Sequence, residues 1–536
     1  MVAAVRARRA RAWIARRTRR GPSARLTAPG APGSRRRLAP ALLLTLGLAG
    51  GCTVGPNFTR PAAPTVTGYE REAIALPAPG GVDPAQRFVD GGAVARQWWQ
   101  LFRSPALDEL IELAMAGSPT LASARATLAE AEEVVTAARG AYYPQADFAA
   151  SGSRQRINQL SGSSSLVSNR SADSGSLVTS MFSVGLAMTY TPDLFGHNRR
   201  FVEQQAAIAE NQAYQLGAAY LALTADVVTQ ALTIASTLAQ IQAVNDIIAA
   251  DEHNLDLVRE AFAAGSVART DVLSAESQLA GDRTLRPPLD QQRSVAQHAL
   301  SVLVGTSPGE WTPPDFSLES LTLPGELPVT VPSELVHGRP DILSAEAQLH
   351  AASAAIGVAT AQLYPSLTLS PAWALEAVST GGPLAASSVL TAVAASLAGP
   401  IYHGGALRAQ QRGAVDAYVA QLGVYRQAVL QAFGQVADVL RALQHDADLL
   451  GAARAALTAS EASLQLSQEA YAAGRGSLLL VLDAQRLYAQ AVLAYARAKG
   501  QRYLDTALLF EAMGGDWRAW SEARTRPGEP AVTARP

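Results

Sequence analysis

The sequence predicts an α+β membrane protein made of two copies of one helix-strand-strand-helix repeat. Within matching runs of neighbours, Pro144 recurs as Pro365 and Gly265 recurs as Gly474. We call these numerical shifts, 221 and 209, the proline shift and the glycine shift. Shifts held over long runs are typical of duplication rather than of chance apolar similarity. Because the glycine shift is smaller, the first copy must hold extra length, which we expect in the polar loop at 158–176.

Two apolar spacings define the elements of each copy. Apolar residues first follow a heptad spacing that indicates packed helices. After each Tyr-Pro the spacing changes to every second residue, which indicates strands.

The first 51 residues are predicted to be a signal peptide of the lipoprotein type. They contain twelve arginines and no Asp or Glu, and they end in an apolar stretch that is too short to span a bilayer. The small residues Ala49, Gly50 and Gly51 directly precede Cys52, the only cysteine of the chain. This order resembles a bacterial lipobox, which implies that Cys52 carries diacylglycerol and N-acyl lipid and becomes the mature N-terminus. The alternative is a buried cysteine in an ordinary signal peptide.

Charge and cysteine content exclude several classes of protein. The 536 residues include 44 basic and 45 acidic side chains, for a net charge of −1. Without residues 1–51 and their twelve arginines, 32 basic side chains remain against the same 45 acidic ones, a net charge of −13. We expect no nucleic-acid partner for so acidic a chain. A single cysteine also excludes an internal disulfide framework and a multi-cysteine zinc site.

Each copy of the repeat begins with a predicted helix. Apolar and small residues recur there at alternating steps of three and four, which predicts a coiled-coil seam with alanine allowing close approach. The seam residues are Leu121, Ala124, Leu128, Ala131, Val135 and Ala138 in the first copy, and Ile342, Ala345, Leu349, Ala352, Ile356 and Ala359 in the second.

Two strands are predicted after each leading helix. Bulky apolar residues alternate there with small or polar ones, over lengths close to those of tilted transmembrane strands. A soluble sheet with one wet face fits the alternation equally well, and the signal peptide favours lipid. The bulky residues are Phe182, Val184, Leu186, Met188 and Tyr190 in the first copy, and Leu367, Leu369, Trp373 and Leu375 in the second.

Four strands per chain cannot close a barrel, because single-chain barrels have at least eight strands and open sheet edges are not tolerated in hydrocarbon. Several chains must therefore contribute. Three chains, which supply twelve strands, are the smallest cyclic closure above a dimer.

The longest predicted helices follow the strands. Residues 200 to about 262 and 406 to about 472 contain no proline, and about 63 helical residues extend about 95 Å. Each run ends at Ala-Ala-Gly, where Gly265 and Gly474 permit a helix stop. We expect a second helix to return in each copy, over 271–305 and 479–514, with a kink at Pro287 in the first.

Several short motifs, individually weak, together resemble one family. Over about residues 52–517 the chain is similar to the outer-membrane efflux lipoproteins of NodT type, the TolC-like exit ducts of tripartite pumps. The motifs are Cys52–Pro61, Gln97–Phe102, the paired Tyr-Pro sequences, Asp193–Gly196 with its counterpart Pro400–Gly405, Tyr471–Gly474, Leu482–Gln485 and Ala512–Trp517.

The resemblance implies a homotrimer with a twelve-stranded β-barrel in the outer membrane. A long α-helical barrel would cross the periplasm, with a collar built from the chain termini and the segment near 306–335. The implied division of the chain is a signal peptide (1–51), an N-terminal anchor and equatorial segment (52–110), a first repeat (111–305), an equatorial inter-repeat segment (306–335), a second repeat (336–517) and a tail expected to be disordered (518–536).

By resemblance, the chain is expected to be a passive duct of a tripartite efflux system that carries small molecules such as drugs and toxic compounds. The expected partners are a periplasmic adaptor, an inner-membrane pump of the resistance-nodulation-division type, and membrane lipid. No cofactor is expected apart from the lipid on Cys52, and no metal. Outer-membrane components of type I protein secretion and periplasmic adaptor lipoproteins are the alternatives.

Two groups of candidate site residues follow from the resemblance. A periplasmic gate is expected at Asp483, Leu480, Asp271 and Arg269, where three copies of Asp483 would form a carboxylate ring that favours cations. Contacts with the adaptor are expected at the helix turns, through Gly265, Ser266, Gly474 and Arg475. The alternatives are that Asp483 is a solvated carboxylate on a helix face and that the glycines only stop helices.

We expect no enzymatic activity. The seven histidines lack metal-binding spacing such as His-Glu-x-x-His, and Cys52 has no nucleophile context outside the signal. Trp98, Trp99 and Trp517 are predicted to pack in the collar or at the membrane interface rather than around a ligand.

Overall fold

The computed structural model describes residues 53–515 and residue 517, apart from 67, 72–75, 77–85, 93, 96, 158–176 and 380–387. Cys52, the signal peptide, the loop predicted at 158–176 and the C-terminal tail lie outside the described residues. The elements are β1 (Arg87–Asp90), α1 (Pro105–Gly117), α2 (Pro119–Arg139), β2 (Gln145–Ile157), β3 (Leu177–Thr189), α3 (His197–Ala263), α4 (Arg269–Arg283), α5 (Arg286–Val304), β4 (Glu326–Val329), α6 (Pro332–Gly338), α7 (Pro340–Ala361), β5 (Ser366–Ser379), β6 (Ser388–Ala398), α8 (Ala406–Ala472) and α9 (Leu478–Ala512).

Each repeat contributes one hairpin to a four-stranded antiparallel sheet, in the order β2-β3-β5-β6. Gln145 pairs with Thr189 in the first hairpin, and Ser366 pairs with Ala398 in the second. The proline shift carries Gln145 onto Ser366, and the glycine shift carries Thr189 onto Ala398. The two hairpins therefore have equivalent strand registers, as the duplication requires. The change from one shift to the other therefore falls between the two strands of the first hairpin, which confirms the predicted location of the extra length.

The two faces of this sheet differ as the alternation predicts. Leu186 lies opposite Trp373, and Val184 lies opposite Leu375. Directly paired residues share a face of a sheet, so the bulky apolar side chains collect on one side. The other side carries small and polar residues, which pair for example as Ala187 with Ala372.

The two longest helices, α3 and α8, have 67 residues each. Helix α7 packs between them, whereas α2 packs mainly on α3. The predicted seams are confirmed where the helices have neighbours: Ile342, Ala345, Leu349 and Ile356 are buried in α7. In α2 only Leu121, Val135 and Ala138 are buried, because its other side is open in the single chain.

Helix α3 is, within the described part of the chain, the one helix long and apolar enough by composition to cross a bilayer. More than half of its apolar window is buried within the protein. It also packs against α2, α7, α5 and α9. It is therefore a core helix of the helical part.

The return helix of the first repeat is interrupted as predicted. Helix α4 ends at Arg283, and α5 begins at Arg286 with Pro287 in its first turn. Proline is tolerated there because the first N–H groups of a helix have no intrahelical partner. The second repeat returns as one uninterrupted helix, α9, of 35 residues.

The main hydrophobic core joins both repeats to the segment before α1 and to the segment between α5 and α7. A short 3₁₀ helix carries Trp98, which stacks on Phe510 of α9 with ring centroids 5.4 Å apart. Phe316 and Leu327 of the inter-repeat segment are fully buried in the same cluster, and β1 pairs in parallel with β4. Trp517 donates a 2.7 Å hydrogen bond to the Gly338 carbonyl. The three tryptophans are thus buried within the chain, and their place in a collar stays a prediction.

Candidate functional site

The ends of the long helices α3 and α8 form two equivalent turns. Gly265 and Ser266 donate their backbone N–H groups to carbonyls three and five residues earlier, at 2.9 Å each, and Gly474 and Arg475 repeat these bonds at 2.9 and 2.8 Å. This is the Schellman pattern, which needs a left-handed residue. The φ angles of the two glycines are +75° and +70°. Among the described residues, apart from the glycine and its two chain neighbours, no atom lies within 4 Å of a Cβ placed on either glycine, so the turns present open surface.

The return helices start with different caps at equivalent positions. In the first repeat an oxygen of Asp271 accepts a 3.0 Å hydrogen bond from the Ala268 N–H. In the second repeat the Ser477 hydroxyl accepts a 3.3 Å hydrogen bond from the Leu480 N–H. The glycine shift carries Asp271 onto Leu480, so the two positions correspond. Asp271 thus stabilises its own helix start, while the Leu480 side chain remains 53% exposed.

Asp483 forms an ion pair within its own helix. Nη2 of Arg486, one turn further along α9, lies 2.7 Å from Oδ1 of Asp483, with both side chains about half exposed. The structure thus joins Asp483 to Arg486 rather than to Asp271 or to Arg269, which is the first residue of α4. Neither Arg269 nor Asp271 pairs with Asp483 among the described ion pairs, and the predicted gate stays a prediction.

A groove of about 640 Å³ lies between α4 and α9 beside this ion pair. Its lining is mostly polar and small, and the charged groups in it are the Arg486 guanidinium and the Asp282 carboxyl. The lining residues are Leu273, Ser274, Ser277, Gln278, Gly281, Asp282, Arg486 and Gln490.

A buried polar cluster connects the two repeats next to Asp483. Nε2 of Gln485 in α9 donates a 2.7 Å hydrogen bond to Oδ1 of Asp251 in α3, and Asn254 donates to Oε1 of Gln485. Asp251 and Gln485 are less than 5% exposed. Asp282 of α4 lies against Asp251 and accepts a 2.6 Å bond from Gln278. We call Asp251, Asn254, Asp282 and Gln485 the interhelical clasp.

The clasp contains a carboxyl whose pKa is shifted towards neutrality. Burial and the adjacent carboxyl of Asp282 raise the pKa of Asp251 to about 7. Oδ2 of Asp251 has no hydrogen-bond partner among the described residues, which also favours the uncharged carboxyl at this buried position. A second buried pair, Asp446 with Asp505 between α8 and α9, behaves alike: burial and Asp505 raise the pKa of Asp446 to about 8.

Sequence reasoning missed both carboxyl pairs, although the signal was present. Asp251 stands in a buried stripe of α3 that is otherwise apolar, at the steps of three and four that mark a seam. The neighbours in that stripe are Val244, Ile247, Leu255 and Val258. A carboxylate at such a position indicates a buried polar contact.

The chain just after Cys52 is held at the junction of the sheet and α3. Val54 donates a 3.1 Å hydrogen bond to the Phe195 carbonyl, and buried Arg200 donates to the carbonyl of Val54 and to Oδ1 of Asn57, at 3.2 and 2.7 Å. Thr53 lies against Gly196, the residue that precedes α3. The segment therefore begins at the sheet end of the helices. Within the described residues no group of three or more His, Cys, Asp or Glu side chains is placed to hold a metal ion.

The model of the family described as outer membrane efflux protein matches residues 110–306 and 331–515. The pyoverdine export outer membrane protein OpmQ of Pseudomonas aeruginosa is 30% identical over 427 residues, which are 79% of this chain and 88% of that protein. Outer membrane protein OprJ of the same organism is 28% identical over 481 residues, covering 89% of this chain and 95% of that protein.

The chain is also similar to solved structures of outer-membrane channels. The outer-membrane channel OprN superposes with a TM-score of 0.75 at 26% identity, over 87% of this chain and all of that chain. The Campylobacter jejuni CmeC outer membrane channel superposes with the same TM-score at 20% identity, over 89% of this chain and 98% of that chain, and shows likeness of fold.

Proposed function

The chain belongs to the outer membrane efflux protein family and is an outer-membrane channel component of an efflux system; we propose that it works as a passive homotrimeric duct. The observation that carries the proposal is the incomplete sheet. A four-stranded sheet with one apolar face and two unpaired edges, β2 and β6, cannot stay open in a bilayer. Three copies close it into twelve strands, an allowed size for a membrane barrel.

We propose that Cys52 carries the lipid anchor. Thr53, the next residue, lies against Gly196, which follows shortly after β3 ends at Thr189. The acyl chains on Cys52 would therefore enter the bilayer beside the base of the barrel. Arg200 supports this placement, since its three polar bonds to the segment 54–57 hold the chain in position.

The two helix turns are proposed as the contact surface for a periplasmic adaptor. Gly265 and Gly474 present bare backbone with open space around them, and Ser266 and Arg475 lie next to them. A trimer would offer six such turns in a ring, because each chain supplies two. This arrangement suits a partner whose helical hairpins pack between neighbouring turns.

The constriction is proposed at the start of α9. Leu480 and Asp483 are three residues apart on one face of the helix and expose half of their side chains. In a trimer, three leucines and three carboxylates would narrow the bore, and Arg486 would neutralise part of the ring charge. The duct would then have a weaker preference for cations than a ring of unpaired carboxylates would give.

Small molecules are the proposed cargo, and a resistance-nodulation-division pump with its adaptor supplies the energy. The names of the relatives favour this reading, since OpmQ is described as a pyoverdine export protein. Protein secretion of type I remains the second candidate, which a different inner-membrane partner would reveal.

Dye export in cells tests the proposed function. Cells that lack their own outer-membrane component but keep the adaptor and the pump should regain dye efflux when this chain is expressed. Cells that also lack the pump should not, because the duct is passive. Dye efflux in cells without the pump would overturn the proposal. So would the absence of efflux when this chain is expressed together with the adaptor and pump that are encoded beside it.

A further inference from the structure

A cavity of about 510 Å³ lies where the four-stranded sheet meets the long helices. Three connections enclose it: 191–198 leads from β3 into α3, 361–366 leads from α7 into β5, and 398–407 leads from β6 into α8. Both repeats therefore contribute, and a single chain builds the cavity. Cavities that bind small molecules commonly measure about 300–1,000 Å³, so this one is large enough for a ligand of several rings.

The cavity lies on the side of the sheet that carries small and polar residues. Ser366, which lines the cavity, lies opposite Ala398, which also lines it. Ser366 and Thr368 are on the same face of β5 as Ala372, because residues at even steps along a strand share a face. Thr191, a third lining residue, has its hydroxyl 3.5 Å from that of Thr368. In the proposed duct the apolar face of the sheet meets lipid, so the cavity faces the bore.

One wall of the cavity is aromatic. Phe195 stacks on Tyr364 with ring centroids 4.7 Å apart and an interplanar angle of 20°, and both residues line the cavity. Tyr364 is 43% exposed although Phe195 covers one face of its ring. A further flat ring can therefore continue the stack from the cavity, in the offset arrangement that aromatic pairs prefer.

The charge in the lining is negative. Among the described lining residues, Asp193 is the one carboxylate, and Lys and Arg are absent. Oδ2 of Asp193 accepts a 2.9 Å hydrogen bond from the N–H of Arg199, whose Nε lies 4.0 Å away. The Arg199 side chain is 50% exposed and that of Asp193 is 12% exposed, so water screens the guanidinium more than the carboxylate. The faces of the aromatic rings also attract cations, and the lining therefore favours a positively charged ligand.

The histidines of the cavity are specific to this junction. His197 and His403 both line it. The glycine shift carries His197 onto Ala406 and carries Leu194 onto His403, so neither histidine recurs in the other repeat. The common fold of the repeats therefore does not require histidine at either position. The two imidazoles add ring nitrogens that can donate or accept hydrogen bonds inside the cavity.

We propose that this cavity is a binding site for a planar aromatic cation, with its rings stacked on Tyr364 and its charge towards Asp193. This site rests on the proposed duct, because only there does the cavity face a bore, and it adds a ligand site to an otherwise plain conduit. Each chain supplies one complete site, so a trimer holds three. A molecule bound there lies between the helical part of the duct and the barrel.

Ethidium, a planar aromatic cation, is the probe. Its binding to the full-length protein in nanodiscs of phosphatidylcholine is measured by fluorescence anisotropy, with empty nanodiscs as the blank. We expect saturable binding of one ethidium per chain. Tyr364→Ala should weaken binding about tenfold because the stacking ring is lost, and Tyr364→Phe should restore it. Asp193→Asn should weaken binding about fivefold, since it removes the charge but keeps an acceptor for the Arg199 N–H.

Tyr402→Ala is the matched control. Tyr402 lies in the connection 398–407 and is 87% exposed, but it does not line the cavity. This variant should bind ethidium as tightly as the unsubstituted protein. Naphthalenesulfonate, an aromatic anion, should not displace ethidium. Equal affinity in all four variants, or displacement by naphthalenesulfonate, would overturn the proposed site.

Photolabelling locates the site without relying on any variant. Ethidium monoazide, activated by light on the unsubstituted protein, should attach to peptides that contain 191–198, 361–366 or 398–407. Label confined to the helix turns, or to the groove between α4 and α9, would contradict the proposed position.

The outcomes separate the site from the function. Absence of saturable ethidium binding in a chain that restores dye efflux to cells would overturn the site and leave the duct intact. A chain that binds ethidium but restores no efflux with its own adaptor and pump would overturn the proposed function, and with it the place of this site in transport.

Discussion

Gln485 donates a 2.7 Å hydrogen bond to Asp251 across the contact between α9 and α3. The first residue belongs to the second repeat and the second to the first repeat, and Asp483 with its partner Arg486 lies on either side of Gln485 in the chain. The proposed constriction is therefore connected by a buried polar bond to α3, the helix that leads into the turn at Gly265. Movement of α9 away from α3 must break this bond.

The clasp makes stability depend on pH. The pKa of Asp251 is raised to about 7 from an ordinary value of 3.8, so between about pH 4 and 7 the folded protein binds a proton that the unfolded chain releases. The stabilisation is fully present below about pH 4. As the pH rises from there through 7, the free energy of unfolding falls by up to about 1.4 kcal/mol per pH unit for one proton.

Asp251→Asn should remove this dependence, because the amide keeps the acceptor for Gln485 and carries no charge. Relative to the unsubstituted protein, we expect a higher melting temperature at pH 8 and a smaller difference at pH 5, measured on detergent-solubilised protein. Asp446→Asn, in the other buried carboxyl pair, is the control for a stability effect far from the turns. An equal difference at both pH values for Asp251→Asn would contradict the assigned protonation.

Removal of the negative charge and removal of the positive charge at the constriction should change its ion preference in opposite directions. Asp483→Ala should raise single-channel conductance in planar bilayers and reduce cation preference, because three carboxylates leave the bore. Arg486→Ala should increase cation preference, since it frees the Asp483 charges from their 2.7 Å ion pairs. If neither variant changes conductance or ion preference, Asp483 is a solvated carboxylate on a helix face.

The turn glycines can be tested for two separate roles. Gly474→Ala should destabilise the protein by about 1 kcal/mol, because an L-residue with a side chain is disfavoured at φ +70°. Gly474→Asn should recover much of that loss, since asparagine tolerates the left-handed region.

Efflux of the two variants then distinguishes contact from helix stop. A contact surface needs bare backbone, so Gly474→Asn should be folded and trimeric but defective in adaptor-dependent dye export. Normal export by Gly474→Asn would mean that the glycine only ends the helix.

Arg200 should hold the anchor segment in place. It is 4% exposed and donates hydrogen bonds to the carbonyls of Val54 and Gly55 and to Asn57. Arg200→Ala should lower stability by about 3 kcal/mol, the range for lost bonds to a buried charged group, and should expose the segment to protease. Arg200→Lys keeps the charge but not the fork geometry, so its stability and protease resistance should lie between those of the unsubstituted protein and Arg200→Ala. If Arg200→Ala resists protease as well as the unsubstituted protein does, this role of Arg200 is refuted.

Much of the fold could be predicted because the duplication and the two apolar periods are local properties of the sequence. The strands around Leu186 and Trp373, the helix stops at Gly265 and Gly474, and the break before Pro287 all follow from residue spacing and backbone restrictions. The strand order and register are not local, yet the repeat shifts reproduce them once one contact between copies is known.

The candidate site was harder to predict. Asp483 could be named only through the resemblance, and its ion pair with Arg486 depends on rotamers that a sequence does not specify. The interhelical clasp depends on which seams face each other across α3, α4 and α9, so Asp251 by itself gives no indication that Gln485 and Asp282 are its partners.

The native mass of the protein extracted from outer membranes tests the central claim most directly. The account predicts a complex of three chains, each beginning at Cys52 and carrying covalent lipid. A single chain, a dimer, or a complex recovered only from the inner membrane would contradict it.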